Sequence, residues 1–96
     1  MAEVLWTTRA RATLRNAVAY IAKESPRAAR HIHAAIDLAG SSLGELPRRG
    51  RHGQAPNTLE LLVAGTPYRL VYEVIDTTVW ILDVVHAKQD EPDPLH

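Results

Sequence analysis

Arg69, Glu73, Asp83 and His86 sit among β-branched and aromatic residues in YRLVYEVIDTTVWILDVVHAKQD, residues 68–90, and Lys88 and Gln89 follow directly. These types could do acid–base chemistry beside fixed positive charge: His86, with an unperturbed pKa of about 6.5, could be a general acid or base, and Arg69 and Lys88 are cations nearby in the sequence. Each has a plainer reading. His86 reads more readily as a structural histidine hydrogen-bonded at a strand end. Arg69 reads as one half of a cross-strand salt bridge to Glu60, Glu73 or Asp83. Those three carboxylates put negative charge in the same part of the sheet.

Elsewhere the chemical signals are weaker. His31 and His33 lie about 200° apart around a helix, so they cannot bind one metal from one face. Arg48, Arg49 and Arg51 make a small basic loop, read as solvated or as a contact for acidic groups or DNA. No phosphate-cradling glycine motif, nucleophile elbow or metal box occurs, so no cofactor is expected. Trp6 and Trp80 read as core or sheet-packing residues.

The chain has 96 residues, enough for one domain, with 46% apolar and 23% charged residues. A domain of this size buries only about two thirds of its unfolded surface, so a partner would add to a thin margin. It has no cysteine, which excludes disulfides and thiolate metal sites and fits a cytoplasmic setting. No apolar run reaches the roughly 18 residues of a membrane span, and no signal-peptide pattern opens the sequence. Net charge is zero but divided: residues 1–51 carry nine Lys/Arg against four Asp/Glu, and residues 52–96 carry two against seven.

Glu3 to Trp6 reads as a strand. Thr7 or Thr8 can cap a helix over about 8–24, with Leu14, Ala17, Val18 and Ile21 on its apolar stripe and Arg9, Arg11 and Arg15 mostly off it. Ser25 and Pro26 open a second helix. Ala29, Ile32, Ile36, Ala39, Leu43 and Leu46 form one stripe, which extends that helix to about 46, where Pro47 stops it. The two helices should form an antiparallel hairpin. Residues 47–57 read as a loop. Strands follow at 58–63, 68–75 and 79–86. On the middle one Tyr68, Leu70, Tyr72 and Val74 share one face and Arg69, Val71, Glu73 and Ile75 the other, which places Arg69 and Glu73 on the side the helices leave uncovered. The fold class is α+β: a short N-terminal strand, an antiparallel helical hairpin, then a three-stranded antiparallel meander. Residues 1–90 form the domain and 91–96 a flexible tail.

This order of elements, with VLWTTRARATL, YIAKESPRAARHI, ELPRRGR, YRLVYEV and ILDVVHAKQD in sequence, resembles the RelE/ParE superfamily of type II toxin–antitoxin toxins over nearly the whole chain. The Leu-Pro and Gly-Arg of ELPRRGR resemble the ParE branch. The resemblance implies a toxin that arrests growth by inhibiting DNA gyrase, with no catalytic residues of its own, in a hetero-oligomer with a cognate antitoxin bearing a ribbon-helix-helix DNA-binding N-terminus. The alternative is the RelE-like ribosome-dependent mRNA endoribonuclease, in which Arg69, His86 and Lys88 would be catalytic: cleavage through the ribose 2′-OH needs a base, cations for the phosphorane and an acid for the leaving oxygen, and Glu60, Glu73 and Asp83 would repel the scissile phosphate. Against that branch, Gln89 stands where those nucleases often have arginine. A lysine pair before Arg69 and a C-terminal tyrosine are both missing. The resemblance also implies that His86, Lys88, Gln89 and Asp90 meet the target, and that Leu14, Val18, Ile21, Ile32 and Arg69 meet the antitoxin.

Overall fold

A computed structural model describes residues 1–90, with side chains through Lys88; the expected flexible tail at 91–96 lies outside the described residues. The elements are β1 (Glu3–Trp6), α1 (Thr8–Ala22), α2 (Pro26–Ser42), β2 (Arg51–His52), β3 (Leu59–Leu62), β4 (Tyr68–Ile75), β5 (Thr78–His86) and a 3-10 turn at Ala87–Asp90. The strands form one sheet in the order β1-β5-β4-β3-β2. The expected meander is β3-β4-β5, antiparallel throughout; β1 adds to it parallel to β5, and β2 adds antiparallel to β3.

Both helices begin where their caps place them. The Thr7 hydroxyl accepts the Ala10 N–H at 3.1 Å and the Ser25 hydroxyl accepts the Ala28 N–H at 3.1 Å, each satisfying a first-turn donor that the helix itself cannot. The second helix is shorter than its apolar stripe suggests. It ends at Ser42, and Leu43 and Gly44 donate to carbonyls only three residues back. Gly40, Ser41, Ser42 and Gly44 are weak helix formers, and the Gly44 carbonyl is turned to accept the Ala2 N–H at 2.8 Å. Leu43 is therefore fully buried, whereas Leu46, one turn further along the stripe, is 62% exposed.

The core lies between the helical hairpin and one sheet face. It contains Ala10, Ile36, Leu43, Leu59, Leu61, Val63, Tyr68, Leu70, Tyr72, Val79, Ile81 and Val84. Gly40 lets α2 approach closely, since a Cβ there would stand 2.9 Å from the Trp6 ring. The steps of two along β5 break between Ile81 and Val84. Val71 pairs with Asp83 but Tyr72 pairs with Ile81, so Leu82 is an extra, bulged residue. The start of α1 docks on this bulge. Thr7 N–H donates to the Ile81 carbonyl at 3.0 Å, the Thr7 hydroxyl donates to the Leu82 carbonyl at 3.3 Å, and Arg9 lies 3.4 Å from Asp83.

Two expectations change. Residues 47–57 are not all loop, because Arg51 and His52 pair with Glu60 and Leu59. Arg69 does lie opposite the core-facing residues of β4, yet it is not displayed there: it is only 7% exposed.

Candidate functional site: a basic-rimmed groove and a closed sheet face

The middle of α1 and the middle of α2 leave an open groove of about 600 Å³ lined by Trp6, Arg11, Leu14, Arg15, Val18, Ala19, His33 and Asp37. Leu14 and Val18 are four apart and half-buried, as are Arg11 and Arg15 in spacing, so an apolar strip and a cationic rim run side by side along one helix. His33 and Asp37 form the opposite wall, with Nε2 3.7 Å from the carboxylate. An amphipathic helix with apolar residues at steps of three and four and acidic flanks has the complementary pattern.

Of the residues assigned to antitoxin contact, Leu14 and Val18 line this groove. Ile21 and Ile32 do not line it; like Leu14 they pack against the core. Arg69 is on the sheet, away from the groove. Trp6, Arg11 and Arg15 were missed as groove residues. The four-residue spacing of the two arginines, matching that of Leu14 and Val18, was the available signal.

On the sheet, Glu60 of β3 and Arg69 of β4 stand on one diagonal, since Glu60 pairs with Val71 and Leu62 with Arg69. Arg69 Nε lies 2.8 Å from Glu60 Oε1, and the two side chains are 9% and 10% exposed. The other Glu60 oxygen accepts the Gln54 N–H at 3.4 Å. Of the three partners weighed for Arg69, the geometry selects Glu60. A guanidinium held this way, with little exposure, has its charge already met and little surface to offer a phosphate.

His86 ends β5 opposite Tyr68, whose ring it meets edge-on with centroids 5.1 Å apart. Its Nδ1 accepts the Lys88 N–H at 3.0 Å. A neutral imidazole in this arrangement carries its proton on Nε2. The Ala87 N–H donates to the Pro67 carbonyl at 2.8 Å, so the turn that follows is tied to the start of β4. Lys88 is exposed on that turn, and the backbone of Gln89 and Asp90 completes it. His86 and Lys88 thus share one sheet end, with Arg69 next to Tyr68 in chain but engaged with β3.

Burial raises the Tyr68 and Tyr72 phenols above their ordinary range. At Tyr72 the rise is opposed by the hydrogen bond from Gly50 N–H, at 2.9 Å, and by the charges of Arg49 and Arg48. Among the described residues no group of three His, Asp or Glu is placed to hold a metal ion, and no helix is long and apolar enough to cross a membrane.

This fold, two helices on one face of a five-stranded mixed sheet, is that of small toxins of the RelE/ParE type. Residues 4–91 match the family described as ParE toxin of type II toxin–antitoxin system, parDE, and the chain belongs to that family. It is 41% identical over 92 residues to Y4kP of Sinorhizobium fredii, covering 96% of this chain and 95% of that protein. It is 42% identical over 87 residues to Toxin RelE2 of Caulobacter vibrioides, covering 91% and 97%. Among solved structures, a chain of the RelBE2 toxin–antitoxin complex of Mycobacterium tuberculosis superposes with a TM-score of 0.65 at 34% identity, covering 88% of this chain and 96% of that one. A chain of the chromosomal ParDE system of P. aeruginosa gives 0.80 at 21% identity, covering 90% and 96%, a likeness of fold.

Proposed function

We propose that this toxin arrests growth in the cytoplasm by poisoning DNA gyrase rather than by cutting RNA. The observation that carries the reading is the Glu60–Arg69 pair. Phosphoryl-transfer chemistry without a metal needs cations aimed at the transition-state oxygens. Here the arginine that would do this is tied to a carboxylate and is 7% exposed. His86 gives Nδ1 to its own turn, and the neighbour of Lys88 is Gln89 rather than a second cation. The membership in the ParE family supports the same target.

A cognate antitoxin, with a ribbon-helix-helix N-terminus and an amphipathic C-terminal segment, would hold the toxin silent. Its helix would lie in the groove of Trp6, Leu14 and Val18 with acidic residues against Arg11 and Arg15. The RelBE2 neighbour, a toxin–antitoxin complex, supports an antitoxin partner.

The test is the paired substitution Glu60→Leu with Arg69→Met, which replaces the ion pair by apolar residues of similar size. Growth arrest should persist in the folded double variant. A catalytic arginine would instead show itself as a loss of about 100- to 1,000-fold in RNA cleavage and of toxicity with it. That loss, in a variant with wild-type circular dichroism, would move the chain to the alternative target, the ribosome and its mRNA.

A further inference from the structure

A second concavity, of about 250 Å³, lies at the other end of the sheet, lined by Arg48, His52, Asn57 and Thr58 over Leu59 and Val74. No carboxylate lines it, although Arg48 and Val74 also border a larger adjoining hollow that holds Glu45 and Asp76. Arg48 is exposed and makes no ion pair among the described residues. Arg49 and Arg51 flank it in the chain, and Arg49 is held by the Ser42 hydroxyl at 2.9 Å.

The walls are built rather than loose. Gly50 is fixed from both sides: its N–H donates to the Tyr72 phenol, and a Cβ there would come within 2.6 Å of the Glu60 carbonyl oxygen. Arg51 and His52 are paired to β3. The far wall is a closed turn. Gly53 N–H donates to the Thr58 carbonyl at 2.9 Å, the Thr58 hydroxyl donates to the Ala55 carbonyl at 2.7 Å, and Asn57 is left-handed with φ 66°. Arginine and asparagine side chains contact the sugar–phosphate backbone of nucleic acids without reading bases, and Arg48 and Asn57 are exposed here on a fixed frame, with His52 beside them and the Thr58 hydroxyl engaged with Ala55. An acidic amphipathic peptide fits less well, since the apolar strip it would need lies in the α1 groove.

We infer that this hollow, centred on Arg48 with His52 and Asn57, is a sequence-independent contact for the phosphodiester backbone of DNA. The inference rests on the gyrase reading only in supplying the source of that DNA, a duplex held by the target enzyme. The hollow lies at the end of the sheet opposite His86 and Lys88, so the toxin would meet its target's nucleic acid with one end while the other is free for protein.

The experiment is fluorescence anisotropy of the full-length toxin with a fluorescein-labelled 20-base-pair DNA duplex of arbitrary sequence, titrated across salt concentrations. Wild type should bind weakly, with log affinity falling linearly in log salt. Arg48→Gln should reduce that slope by about one phosphate's share, roughly 0.9, and weaken binding. Arg30→Gln, an exposed arginine on α2, removes the same charge elsewhere and should leave the slope unchanged. Asn57→Gly keeps the left-handed backbone and should weaken binding at unchanged slope. Equal slopes for wild type and Arg48→Gln, or equal losses for Arg48→Gln and Arg30→Gln, would overturn the site. So would binding of labelled poly-glutamate, but not DNA, through Arg48. DNA binding that survives in a toxin leaving gyrase untouched would sink the gyrase reading alone. Wild-type gyrase inhibition by an Arg48→Gln variant would sink this site alone.

Discussion

Glu60 and Arg69 form a diagonal ion pair across β3 and β4, Nε to Oε1 at 2.8 Å, with both side chains about nine-tenths buried. Removing one partner leaves a charge with little water around it. Glu60→Ala or Arg69→Ala should each cost about 3 kcal/mol, whereas Glu60→Leu with Arg69→Met together should recover most of it. Urea unfolding of the three variants checks this, and single variants as stable as wild type would show the pair to be inert.

The groove prediction separates partner binding from folding. Val18 is half-buried on its floor, so Val18→Asp places a charge where an apolar anchor would sit. Affinity for the cognate antitoxin should fall by about 30-fold or more, the effect of a central interface residue. Thermal stability of the free toxin should change by under about 1 kcal/mol. Free antitoxin at 1,000 times its dissociation constant should add about 4 kcal/mol of apparent stability to wild type. Helix and sheet amides that exchange at the same rate with and without antitoxin would contradict the groove as a docking site.

How much of this could be read from the residues alone varies by kind of feature. The caps at Thr7 and Ser25, Pro26 and the alternation of Tyr68, Leu70 and Tyr72 are local signals, and they placed the elements correctly. The shorter second helix was only half legible: Gly40, Ser41, Ser42 and Gly44 are weak helix formers in the sequence, but the Ala2 N–H that takes the Gly44 carbonyl comes from a distant stretch of chain. The Leu82 bulge was hidden for a similar reason: β5 carries apolar residues on both sides of Asp83, and only pairing with β4 and docking of Thr7 select the extra residue. At the candidate site, Glu60 was legible as one of three possible partners for Arg69. Register selects among them, and register is a property of two strands.

Alkaline pH should expose Tyr72. Burial raises its phenol above the usual value of about 10, so the folded chain keeps a proton that the unfolded chain releases. Stability from this source is complete below pH 10 and declines as pH rises through the folded value. Tyr72→Phe should lose about 1 kcal/mol at pH 7, from the unpaired Gly50 N–H, and should also show a shallower alkaline decline than wild type. Parallel pH–stability curves for the two proteins would assign the alkaline loss to Tyr68 or to net charge.

The sheet end at His86 predicts where toxicity can be cut away. Ala87 is tied to Pro67, and His86 packs on Tyr68, so a chain ending after Ala87 keeps both contacts. It should remain folded and bind antitoxin, yet no longer arrest growth, because Lys88, Gln89 and Asp90 are gone. A truncated toxin that still kills would remove this end from the target contact.

The central claim is tested most directly by adding the purified toxin to gyrase and relaxed plasmid, and in parallel to ribosomes programmed with mRNA. Supercoiling should fail and cleaved plasmid should accumulate, with the mRNA intact. Cleavage of the ribosome-bound mRNA, with gyrase supercoiling at its normal rate, would contradict the account.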